Sequence, residues 1–118
     1  MSMPRPAAQG GLPQLTASIK GSSGPVTRLG ANGELDLATA GAFGALLADM
    51  ITPDRPSVVI DASRLRFCDS HGLAVLEMAD ALAGTCGGTV RLTRVRPLVT
   101  KILKITGLEE RFVGSAPR

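Results

Sequence analysis

The densest cluster of chemically competent side chains in this 118-residue chain is the run Phe67-Cys68-Asp69-Ser70-His71-Gly72-Leu73. It places a thiol, a carboxylate, a hydroxyl and an imidazole next to one another. A serine beside a histidine raises the question of nucleophilic catalysis. Geometry argues against it: neighbours on a helix point about 100° apart, so His71 is poorly placed to take a proton from Ser70. The nucleophile-elbow pattern needs a glycine two residues before the serine, and here that residue is Cys68. The chain has one histidine and no glycine-rich phosphate loop of the P-loop type. The sequence therefore predicts a protein that is not an enzyme and has no catalytic residue.

On the residues alone, Asp69-Ser70 ahead of a helix reads first as a cap, and the position would also tolerate a phosphate on Ser70. Asp69 or Ser70 stands where a helix N-cap is expected. The free N–H groups and positive dipole end of a helix start favour an anion. A phosphate there would leave the helix intact and present about two negative charges outward. At about 100° per residue, Ser70, Leu73, Ala74, Glu77, Asp80 and Ala81 share one side of the helix. Gly72, Val75, Leu76, Ala79, Leu82 and Ala83 share the other. The second set reads as the core face. Ser70, Leu73, Ala74 and Glu77 read as an exposed docking stripe, extended by Asp36 and nearby loop residues.

Metal, membrane and nucleic-acid chemistry have weak support. The two cysteines, Cys68 and Cys86, lie in apolar stretches without a CxxC and read as buried small hydrophobes, with no metal and no cofactor expected. Glu77 and Asp80 interrupt the best apolar stretch, well short of the roughly 18 residues of a membrane span. Residues 1–14 lack the apolar core of a signal peptide, so a cytoplasmic protein without membrane insertion is expected. The net charge is +3, with a basic cluster at Arg91, Arg94, Arg96, Lys101 and Lys104. Phe43, Phe67 and Phe112 are the only aromatics and none lies among those cations, so no nucleic-acid partner is expected.

The elements that must position Ser70 follow from periodicity. Residues 1–13, with three prolines and a Gly-Gly pair, read as a flexible arm, leaving one domain over 14–118. Leu15, Ala17 and Ile19 alternate with polar residues as a half-buried strand. A turn over Gly21–Pro25 leads to a second strand, Val26 to Ala31, and Asn32-Gly33 bends the chain. Asp36 caps a helix carrying Ala40, Phe43, Leu46, Leu47 and Met50 on one side, ended by Pro53 and Pro56. Val58-Val59-Ile60 reads as a strand covered on both faces. The helix after Asp69 runs to about Ala83, followed by a strand over Val90, Leu92 and Val95. Pro97 opens a third helix with Leu98, Ile102 and Ile105 as its apolar side, and Gly107 closes it. Phe112 and Val113 form a short last element. Strands alternating with helices predict an α/β fold with a mixed sheet of four to five strands and parallel crossovers. With 44% hydrophobic and only 3% aromatic residues, the core must be aliphatic.

Four segments in this order, Gly33-Glu34-Leu35-Asp36, Val58-Val59-Ile60-Asp61, Phe67 to Leu73 and Thr106-Gly107-Leu108, resemble the STAS domain, and within it the anti-sigma factor antagonists. The resemblance runs from about Leu15 to Val113. It implies a single STAS domain with helices mainly on one face of the sheet, and no catalysis. It further implies a partner: an anti-sigma serine kinase of GHKL type, whose capture releases a sigma factor and permits transcription, including stress responses. The kinase phosphorylates the serine after the Asp, here Ser70 after Asp69, and binding stops. A metal-dependent serine phosphatase reverses the modification. The implied partner-binding residues are Asp36, Asp69, Ser70, His71, Leu73, Ala74 and Glu77. The family often has a second serine where this chain has His71, which bears on which kinase recognises the site. Two rival functions stay open: a STAS scaffold or lipid-transporter subunit that binds constitutively, or a STAS domain that holds a nucleotide or other small ligand.

Overall fold

A computed structural model describes residues 14–114; the expected arm over 1–13 lies outside the described residues. The elements run β1 (Leu15–Ser23), β2 (Val26–Leu35), α1 (Leu37–Met50), β3 (Ser57–Cys68), α2 (Ser70–Thr85), β4 (Val90–Thr93), α3 (Pro97–Ile105) and α4 (Glu109–Phe112). The strands form one mixed sheet in the order β1-β2-β3-β4. β1 and β2 are an antiparallel hairpin, while β2–β3 and β3–β4 are parallel. Two βαβ crossovers carry α1 and α2, which pack against each other.

Period-2 burial shows which sheet face meets the helices. Leu29, Ala31, Val58, Ile60, Ala62, Val90 and Leu92 are buried, and their alternating neighbours are not, apart from Gly30, which lies under the Lys20 side chain. Phe43 and Leu47 of α1, Leu76 and Ala83 of α2, Leu103 of α3 and Phe112 of α4 close over that face. Each fully buried side chain of this size stabilises the fold by roughly 1.5–3 kcal/mol. The core is almost wholly aliphatic, as the composition requires.

Several local expectations are corrected. Asn32-Gly33 does not end β2; the strand continues to Leu35, with register shifts on either side. Gly33 has φ +130, and a Cβ there would overlap the Gln14 carbonyl, so the residue is a bulge position and not a bend. The first turn is confined to Gly24-Pro25, because β1 runs through Ser23. β1 is not half-buried: it is an edge strand with only Leu15 partly covered, since α1 does not reach past β2 over most of its length. Val58-Val59-Ile60 is covered on one face only, with Val59 facing away. Val95 lies beyond β4. α3 turns Val99 and Leu103 inward, leaving Leu98 50% and Ile105 74% exposed. Its apolar side is therefore not the one through Leu98, Ile102 and Ile105. Gly107 does close it, at φ +77.

Candidate partner-binding site

Two helices begin side by side because two parallel strands end side by side. Leu35 of β2 pairs with Cys68 of β3, so Asp36 and Asp69, the next residues, stand on neighbouring strands. Each caps the helix that follows. The Asp36 carboxylate accepts from the Ala38 and Thr39 N–H groups at 3.0 and 3.2 Å. Thr39 Oγ1 accepts the Asp36 N–H at 3.0 Å, completing a capping box. The Asp69 carboxylate accepts from His71 N–H at 2.9 Å and Gly72 N–H at 3.1 Å.

Asp69 also reaches across. Its Oδ2 accepts the Leu37 N–H, the first of α1, at 3.2 Å. One carboxylate thus serves both helix starts. The His71 Nδ1 lies 3.6 Å from the same oxygen. Partial burial pushes the Asp69 pKa up, but the N–H groups of Gly72, His71 and Leu37 and the His71 side chain outweigh that, and the net shift is downward. The carboxylate is firmly ionised. Beneath it, Cys68 is fully buried, and burial followed by the Asp69 charge pushes its thiol up to about 12.

Ser70 is the first residue of α2 and is exposed, as is His71 beside it. Ala74, one turn further, is also exposed. Glu77 follows, half-buried, and is tied to Arg111 of α4 at 3.4 Å. Asp80 receives Arg111 Nε at 2.8 Å and the Val90 N–H at 2.9 Å. The two acids on the Ser70 side of α2 therefore anchor α4 and β4.

Leu73 differs from expectation. It is only 6% exposed and belongs to the core, whereas Leu82 is 37% exposed and Val75 half-buried. The buried face of α2 is turned roughly 45° toward Leu73 relative to the face expected from the apolar pattern. Leu73 supports the site from beneath and offers little surface. Gly72 explains how closely α2 approaches the sheet: a Cβ there would lie 2.6 Å from the Leu35 carbonyl oxygen and 2.8 Å from Cys68 Sγ.

Two contributors escaped the sequence reading. Leu37 is 70% exposed at the start of α1, beside the Asp69 carboxylate. An apolar residue just inside a helix reads as core, so no signal marked it. Thr39 was legible in principle, since Asp36-Leu37-Ala38-Thr39 has capping-box spacing. Among the described residues no group of His, Cys, Asp and Glu side chains could hold a metal ion. No helix among them is long and apolar enough to cross a membrane.

The family model described as "Mlab, STAS domain" matches residues 20–114. The chain belongs to the STAS domain family. Among solved structures, this STAS domain is similar to an anti-sigma factor antagonist from Mycobacterium paratuberculosis, with 26% identity, 83% of this chain and 82% of that one covered, and a TM-score of 0.69. It shares its fold with the anti-sigma factor antagonist SpoIIAA in its unphosphorylated form, at 19% identity, 86% and 89% coverage and a TM-score of 0.73. The phosphorylated form of SpoIIAA, described as a Bacillus cell fate determinant, matches at 18% identity, 86% and 92% coverage and a TM-score of 0.66. Among curated protein sequences, none matches the chain.

Proposed function

We propose that this STAS domain is an anti-sigma factor antagonist that captures an anti-sigma serine kinase of GHKL type and is switched off by phosphorylation of Ser70. In this reading it works in the cytoplasm, performs no chemistry itself, and is restored by a metal-dependent serine phosphatase. The observation that carries the reading is the position of Ser70: exposed, at the first residue of α2, directly after a carboxylate that caps two helices. The likeness to the mycobacterial antagonist supports it.

The mechanism is electrostatic. The partner surface comprises the exposed Ser70, His71 and Ala74, the neighbouring Leu37, and the rim carboxylates of Asp36, Asp69 and Glu77. Leu73 holds this surface rigid from below. Asp36 Oδ1 and both oxygens of Asp69 accept backbone N–H groups, so the helix starts stay fixed whether Ser70 is modified or not. Adding about two negative charges changes what the partner meets and not how the domain folds. A like-charge or apolar partner surface is then repelled or left with a desolvated charge.

The test is to incubate the chain with ATP and candidate GHKL-type serine kinases and to map phosphate by mass spectrometry. Modification at Ser70, absent in Ser70→Ala, is the expected result. Modification elsewhere, or persistence in Ser70→Ala, refutes the assignment.

A further inference from the structure

The sheet face turned away from the helices is bare among the described residues, and it is strongly basic. Because Leu29, Ile60, Leu65 and Leu92 point at the helices, the residues alternating with them point the other way. Those positions hold Arg28 on β2 and Arg64 and Arg66 on β3, all exposed, whereas the guanidinium of Arg91 on the edge strand β4 turns to α4 and donates to the Arg111 carbonyl at 3.5 Å. Lys20 of β1 and Arg94 just after β4 join the same face, since both approach Asp61 Oδ2, at 3.8 and 3.7 Å. Gly30 makes this possible: a Cβ there would meet Lys20 Cε at 2.6 Å, so the lysine lies flat across the strand. Arg94 adopts φ +56, the one non-glycine residue with positive φ among those described.

Against these cations the face carries Asp61, already shared by Lys20 and Arg94, and Glu34 at one end. The remaining acids, including Asp36, Asp69, Glu77 and Asp80, lie with the helices and their connections. The charge of the molecule is therefore segregated, although its net value is only +3.

We propose that this bare sheet face docks on an anionic lipid bilayer. The cations spread from β1 across β2 and β3 to the residue after β4, on strands about 4.8 Å apart, which suits an extended array of headgroups. Lys20 and Arg64 rim one shallow hollow that also holds Asp61, a local depression and not a groove that would track a nucleic-acid backbone. The surface between them is Thr16, Ser18, Asn32, Val59, Ser63 and Thr93, and the one aromatic ring on it among the described residues, Phe67, stands beside Glu34 at the end of the face, so no row of rings is there to stack successive bases. Docked this way, the molecule holds the start of α2 and Ser70 away from the membrane and open to protein partners. The inference does not depend on Ser70 being phosphorylated.

The experiment is co-sedimentation of the full chain with vesicles of phosphatidylglycerol and, in parallel, phosphatidylcholine. Binding to the anionic vesicles alone is expected, lost at about 0.5 M salt, where screening acts over only a few ångströms. Each cation removed should weaken binding about fivefold. Arg28→Gln/Arg64→Gln, which keeps side-chain size and disturbs folding least, should weaken it about 25-fold, and Arg28→Glu/Arg64→Glu further. Lys101→Gln/Lys104→Gln on α3 should leave it near the parent value. The proposal is overturned by no binding to phosphatidylglycerol, by equal binding to phosphatidylcholine, by loss in the α3 variant alone, or by tighter binding to duplex DNA than to vesicles.

Discussion

Replacing Asp69 by alanine removes the one group that ties the starts of α1 and α2 together. Loss of the α2 cap, with acceptors for His71 N–H and Gly72 N–H gone, costs about 1 kcal/mol. Loss of the Leu37 N–H bond across to α1 adds about 0.5–1.5 kcal/mol. Removing a negative charge from two helix N-termini adds about 0.3–1 kcal/mol at each. The total, about 2–4 kcal/mol, is a large share of the 5–15 kcal/mol typical of a small domain. In urea denaturation, at a slope of about 2 kcal/mol per molar for such a domain, the midpoint should fall by about 1–2 M. Asp69→Asn keeps one acceptor oxygen and loses the charge, so its midpoint should lie between those of the parent and Asp69→Ala.

The acid dependence follows with a definite sign. The folded pKa of Asp69 is lowered, so its contribution is fully present above the unfolded value of about 3.9. It is lost as pH falls through the folded pKa. The parent should lose stability more steeply than Asp69→Asn below about pH 4. An Asp69→Ala midpoint within about 0.3 M of the parent, a change of under 1 kcal/mol, would refute the bridging argument.

The other expectations are direct. Gly72→Ala should destabilise by about 1–3 kcal/mol by urea or heat, because its Cβ would collide with the Leu35 carbonyl and with Cys68. In the native state at pH 8, a thiol reagent should label Cys86 and leave Cys68 unreacted until denaturant is added, since burial and the Asp69 charge hold the Cys68 thiol up at about 12. Arg111→Ala should cost about 1 kcal/mol and speed hydrogen exchange in α4, because it releases the bonds to Asp80 and Glu77.

Where sequence reading succeeded, the signal was local. Asp36 and Asp69 are short polar residues ahead of helical apolar patterns, and capping chemistry depends on little else. Gly107 and Pro97 mark helix ends for equally local reasons. Where it failed, the answer depended on neighbours. Leu73 and Leu82 lie on opposite flanks of an apolar stripe, and the pattern of α2 alone does not say which flank meets the core. α1 lies beside α2 but leaves Gly41, Gly44, Ala45 and Ala48 facing Val75, Met78 and Leu82 across an open groove of about 450 Å³. Small residues on α1 thus leave Leu82 in the open, while Leu73 turns into the core. β1 alternates as a half-buried strand should, yet at the sheet edge none of the described residues covers its inner face beyond Leu15. The basic sheet face was hidden for the same reason. Lys20, Arg28 and Arg64 are separated in sequence and share a face only through register.

The central proposal concerns Ser70, an exposed serine beside the carboxylate that caps α2 and reaches α1, where a phosphate would add charge. The most direct test is the affinity of the partner kinase for the unmodified chain and for the chain phosphorylated at Ser70, measured by calorimetry under identical salt. Like-charge contact at an interface costs several kcal/mol, so phosphorylation should weaken binding by about a hundredfold or more, with unchanged circular dichroism. Equal affinity of the two forms would contradict the account, as would loss of binding accompanied by unfolding of α2.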